Sequence, residues 1–84
     1  MKTNEKTSVN IEDIKNEISL NLGHFVKIQE NNRQGKKIKE YTGEILGAYD
    51  KLFIVRVQIR ENYLNKSFSY VDVITNDMAY EILK

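Results

Sequence analysis

Ile11, Ile14, Ile18 and Leu22 recur at spacings of three and four residues, and Glu12, Asp13, Lys15, Asn16, Glu17 and Ser19 fill the positions between them. That period lines one face of an α-helix with apolar side chains and leaves the rest in water. Asn10 stands where an N-cap side chain accepts a backbone hydrogen bond, and Glu12 and Asp13 lie at the positive end of the helix dipole. Gly23 supplies the left-handed residue that closes many helices. The spacing predicts a helix over residues 11–22. A helix this short is marginal alone, so its isoleucines must dock on something.

Beyond Gly23 the period becomes alternating. In residues 24–30, Val26 and Ile28 point one way and Phe25 and Lys27 the other, as in a strand with one buried face. Residues 31–35 (Asn-Asn-Arg-Gln-Gly) read as a hairpin loop. A long polar strand follows from Lys36 to Ala48, interrupted by Gly43 and Gly47, where glycine signals a bulge or the close approach of another backbone. After a turn at 49–51, Leu52 to Ile59 is the most apolar and β-branched run and suits a central strand. Phe53, Val55, Val57 and Ile59 share its core face. Leu52 and Ile54 fall on the other, to be covered first by the helix isoleucines and next by a second subunit. Residues 60–65 read as a loop, Lys66 to Val73 as a fourth strand, 75–77 as a turn capped by the Asp72 carboxylate, and Met78 to Leu83 as a last strand. One helix before five short strands predicts an α+β, mainly β, fold: an N-terminal helix packed on a small five-stranded SH3-like or Sm-like β-barrel.

With 84 residues and no cysteine, the chain has room for one modest core and no disulfide to support it. Residues 1–10 hold little to bury and read as a flexible tail, leaving 11–84 as the single domain. That opening stretch lacks the apolar centre of a secretory signal, and no run is long enough to span a bilayer, so a cytoplasmic protein without a membrane partner is expected. A net charge of +1 gives no global field towards nucleic acid. Any such contact must come from a local patch.

The first hairpin offers one. Lys27, Arg33, Lys36, Lys37 and Lys39 cluster there, opposed only by Glu30 and Glu40. Such a patch can neutralise phosphates, with Tyr41 or Tyr49 stacking on an unpaired base. Its plainer reading is a solvated strand whose charges protect a sheet edge, and its third an acidic protein partner. A second candidate surface is aromatic and apolar: Tyr41, Tyr49, Leu52, Ile54, Phe68 and Tyr70. Phe68 and Tyr70 share a strand face and either fill the barrel or stand outside it for a partner or a homodimer. His24, Ser67, Ser69, Asp72 and Thr75 do not make a convincing nucleophile, base and orienter, and no phosphate loop or metal-ligand spacing occurs. The expectation is a binding protein, without catalytic residues, metal or cofactor. Tyr41-Thr42-Gly43-Glu44-Ile45 with Tyr49-Asp50 is also similar to the first signature of Sm-type RNA-binding barrels. The RNA-contacting asparagine and the Arg-Gly pair of that family are missing.

Several ordered pieces together resemble the Veg family of biofilm formation stimulators. They are Asn21-Leu22-Gly23, the basic segment 33–37, Gly43 with Ile45, Tyr49 before Leu52-Phe53-Ile54-Val55, and Ser67-Phe68-Ser69-Tyr70 closing in Asp72-Val73-Ile74-Thr75. The resemblance covers Ile11 to Leu83. Gln34 and Gly35 interrupt the basic hairpin, and Phe68 stands where the family generally has tyrosine. The resemblance implies a non-enzymatic cytoplasmic regulator of Gram-positive bacteria that promotes biofilm matrix gene expression through a protein partner in a repressor pathway. It carries over a role, without binding residues.

Overall fold

In a computed structural model that describes residues 10–31 and 38–84, Asn10 opens helix α1 (Ile11–Leu20) through a capping box. The Asp13 N–H donates to Asn10 Oδ1 at 3.0 Å and the Asn10 N–H donates to Asp13 Oδ2 at 3.4 Å. Asn10 therefore belongs to the helix start; residues 1–9, the rest of the expected tail, lie outside the described residues. The helix stops two residues earlier than its apolar period suggests. Asn21 is buried and its side-chain amide donates back to the Glu17 carbonyl at 2.8 Å, which closes the last turn. Gly23, at φ 87°, then redirects the chain, and its N–H donates to the Ile45 carbonyl at 2.9 Å.

Five antiparallel strands follow: β1 (Phe25–Asn31), β2 (Ile38–Ala48), β3 (Leu52–Ile59), β4 (Asn62–Ser69) and β5 (Met78–Leu83), with a one-turn helix α2 (Tyr70–Ile74) before β5. Their order in the sheet is β4-β3-β2-β1-β5. The expected loop at 60–65 is instead a two-residue turn. Ile59 pairs with Asn62, and Arg60 takes φ 58°, as tight hairpins require of a turn residue. The expected fourth strand accordingly begins earlier and ends at Ser69. There the Ser69 hydroxyl accepts the Val71 N–H at 3.2 Å and starts α2, so a local side-chain bond overrides the alternating pattern. At the far end of α2 the Asp72 backbone carbonyl, and not its carboxylate, closes the turn. It accepts the Asp77 N–H at 2.9 Å.

The helix and five strands are those expected, but the sheet stays open: β4 and β5 are its two edges and do not pair. It is nevertheless strongly curled. Three strand spacings separate β3 from β5, roughly 14 Å in a flat sheet, yet the Phe53 and Tyr80 ring centroids lie 6.4 Å apart. Gly43 and Gly47 allow the bend. The register of β2 on β3 slips between Ile45 and Gly47, and beyond the Gly43–Val57 pair the described ladder between these strands ends. A Cβ on Gly43 would sit 2.2 Å from the Arg56 carbonyl oxygen, so only glycine admits this approach.

Inside the curl, Ile14 and Ile18 of α1 join Val26, Ile28, Ile45, Phe53, Val55, Val57, Phe68, Tyr70 and Met78 in one buried cluster. Ile59 is not among them. It lies past the point where β2 leaves β3 and remains 42% exposed. The helix covers the Phe53 side of the sheet, because its isoleucines complete that core. Leu52 and Ile54 stay half-buried on the outer face, away from α1.

Candidate functional site

The register decides which face each candidate residue occupies, because side chains alternate along every strand. Val26, Ile28 and Glu30 of β1 share the inner face, and Lys39 stands opposite Glu30. Lys27 stands opposite Thr42 on the outer face and pairs with Glu40 at 3.4 Å. Lys27 and Lys39 are therefore not brought together. Arg33, Lys36 and Lys37, the remaining members of the expected basic patch, lie outside the described residues.

The expected aromatic and apolar surface also divides. Phe68 and Tyr70 are in the core, 3% and 0% exposed, so neither can present a surface to a partner. The reason is the Phe53 ring, which has centroids 5.7 Å from both and lies nearly parallel to Tyr70, at 20°. The Tyr70 hydroxyl is not wasted there. It donates to the Tyr49 carbonyl at 2.8 Å and pins the turn between β2 and β3. Burial raises the Tyr70 pKa above the ordinary phenol value, an effect that this hydrogen bond partly offsets and Asp50 and Glu12 reinforce. Tyr41 packs at the core's rim, 6.0 Å from Phe68, with the Lys66 ammonium 5.1 Å from its ring centroid. Tyr49 is exposed, its ring lying against Gly47. Only Tyr49, Leu52 and Ile54 thus remain on or near the outside.

A different constellation appears on the outer face. Phe25, Glu44 and Arg56 are successive cross-strand neighbours on β1, β2 and β3, and Gln58 pairs with Tyr63 of β4. The Arg56 guanidinium sits over the Tyr63 ring, 4.6 Å from its centroid. Between the exposed rings of Phe25 and Tyr63 lies a shallow depression of about 180 Å³. Sequence reasoning missed it because Tyr63 fell in a segment read as loop. The usable signal was the alternation Arg56-Val57-Gln58, which marks Arg56 and Gln58 as outward.

The supposed catalytic residues are scattered: His24 and Ser67 are exposed, Ser69 caps α2, and Thr75 donates its hydroxyl to Asp77 Oδ2 at 2.8 Å. Among the described residues, no three His, Cys, Asp or Glu side chains are placed to hold a metal ion, and every buried side-chain nitrogen or oxygen has a hydrogen-bond partner. No described helix is long and apolar enough to cross a membrane. Glu17 accepts a hydrogen bond from the Tyr80 hydroxyl, which ties α1 to β5. Burial first, and then that carboxylate, push the Tyr80 phenol far above its ordinary pKa.

Among proteins of curated function, none matches the chain. A family model does: the one described as the biofilm formation stimulator Veg aligns with residues 9–81, from the residue before the helix cap to the middle of β5. Since that match takes in the helix, the curled sheet and both of its faces, the chain belongs to the Veg family.

Proposed function

We propose that this protein is a non-enzymatic, cytoplasmic regulator that stimulates biofilm formation by raising matrix gene expression, and that it acts by contacting a protein of a repressor pathway. The observation that carries this reading is the family match over residues 9–81. We read the curled sheet as an open variant of an SH3-like small barrel, in which the edge strands β4 and β5 do not pair. The charges of the outer face support a protein over a nucleic acid. Lys27 and Arg56 are its cations on β1, β2, β3 and β5, and Glu40, Glu44 and Glu81 its acids. A polyphosphate backbone meets net repulsion there.

Deleting the gene in its own organism, with and without complementation, tests the role. Matrix transcripts and biofilm mass should both fall and both return on complementation; unchanged transcripts would remove the reading. Nucleic-acid binding through the first hairpin is the competing mechanism. Titration of duplex DNA and single-stranded RNA at two salt concentrations separates the two, since submicromolar, strongly salt-dependent affinity would favour the rival.

A further inference from the structure

We propose that the outer-face depression between Phe25 and Tyr63 is the docking site for an extended segment of the partner protein, one that presents a carboxylate beside an apolar side chain, with Arg56 receiving the carboxylate. This rests on the protein-contact reading above and names the surface and the chemistry of the contact.

Arg56 has an acid next to it and does not use it. Glu44 is its direct cross-strand neighbour, yet among the described residues the two form no ion pair. The guanidinium is instead held by the Tyr63 ring at 4.6 Å, and no described group accepts a hydrogen bond from it. Contact with the ring restricts the side chain's rotamers, so less further order is lost when an acceptor arrives. The chemical match for a free guanidinium fork is a carboxylate or phosphate bound through two parallel hydrogen bonds.

The surroundings choose between those. A phosphate chain brings further negative charge across Glu44 and Glu81, while the paired Lys27 and Glu40 cancel each other. One carboxylate meets less of that repulsion than a phosphate chain, since Glu44 is the acid beside it. The rings of Phe25 and Tyr63, 53% and 58% exposed, give apolar walls on both sides of the site. Thr42 and Gln58 add polar groups to the floor. At about 180 Å³ the depression is well below the roughly 300–1,000 Å³ of small-molecule pockets. It has the size for one or two side chains of an extended peptide lying across the strands.

The test is a ¹⁵N-HSQC titration of the full chain with three blocked tripeptides, Phe-Glu-Phe, Phe-Gln-Phe and Phe-Lys-Phe. The glutamate peptide should shift the amides of Phe25, Glu44, Arg56 and Tyr63 at millimolar concentration. The glutamine peptide should bind about threefold to tenfold more weakly, the range expected for a partly solvated charge-assisted contact, and the lysine peptide weaker still. Arg56→Gln should erase the preference for glutamate, Tyr63→Phe should keep it because the ring is retained, and Glu44→Gln should strengthen it. All three positions are on the surface, and a dispersed spectrum verifies that each variant is folded. Equal response to the three peptides, shifts centred elsewhere, an unaffected Arg56→Gln variant, or stronger shifts of these same amides by a duplex oligonucleotide would each overturn the proposal. Biofilm loss on gene deletion together with a silent titration would refute this site alone. Peptide binding in a protein whose deletion changes nothing would refute the regulatory role alone.

Discussion

Replacing Gly43 with alanine should be the most damaging single-methyl addition to this fold. The new Cβ would meet the Arg56 carbonyl oxygen at 2.2 Å, its carbonyl carbon at 2.8 Å and the Val57 Cα at 2.8 Å. Close carbon–oxygen contacts in sheets lie near roughly 3.3 Å, so the strands must separate by about 1 Å. The obstacle is backbone and cannot swing away. Overpacking of this kind costs roughly 1–3 kcal/mol, and weakening a ladder bond or two beside it adds about 1 kcal/mol each. We expect a total near 3 kcal/mol. At roughly 0.05–0.15 kcal/mol per residue the whole domain has about 4–13 kcal/mol, so the loss is a large share. In thermal melts followed by circular dichroism it corresponds to a fall in Tm of roughly 12–24 °C, and urea denaturation should give the same ranking. Gly47→Ala is the control. The three atoms nearest its Cβ all belong to the Tyr49 side chain, at 2.7–2.9 Å, and that exposed ring can rotate outward, so the cost should stay within about 1 kcal/mol. If Gly43→Ala costs under 1 kcal/mol, or no more than Gly47→Ala, the account of the bend is wrong.

Three further perturbations probe other parts of the same structure. Tyr70→Phe removes the hydroxyl that donates to the Tyr49 carbonyl but keeps the stack on Phe53, and should cost about 1 kcal/mol in urea denaturation. Asn10→Ala removes the side-chain oxygen that accepts the Asp13 N–H, the half of the capping box that depends on the Asn10 side chain, and should cost roughly 0.5–2 kcal/mol, with faster hydrogen exchange confined to the first turn of α1. Because burial and Glu17 raise the Tyr80 pKa in the folded protein above its ordinary value of 10.0, the neutral phenol is the form that folding favours. Its contribution to stability is complete below about pH 10 and is lost as pH rises from there towards the folded-state pKa. Ultraviolet titration should show a late-ionising phenol that Tyr80→Phe abolishes, and a phenol that ionised at its ordinary value in the folded protein would contradict the Glu17 contact.

Much of this architecture was legible along the chain because short-range rules govern it. The isoleucine period, the Asn10 cap and Gly23 announced α1, and the alternation of Val26 with Ile28 and of Phe53 with Val55 and Val57 assigned their inward faces correctly. The family, too, was readable from ordered pieces of sequence. The errors fall where a local bond competes with a period. Ser69 caps a helical turn inside an apparently continuous strand, and Arg60 closes a hairpin where polar residues suggested a loop.

What the residues could not disclose is how the sheet folds over on itself. Whether Phe68 and Tyr70 face a core or a partner depends on Phe53 arriving between them, and the opposite placement of Lys27 and Lys39 depends on strand register. The order of residues put Lys27 and Lys39 in one hairpin; the pleat set these two on opposite sides. The Arg56–Tyr63 pair exists only because a two-residue turn aligns β3 with β4. Periodicity specifies which way a side chain points from its own strand, a property of a few neighbouring torsions. Which rings and charges then share a face is settled by pairing between distant segments and by the curl at Gly43, where backbone approach and core filling outweigh any local preference.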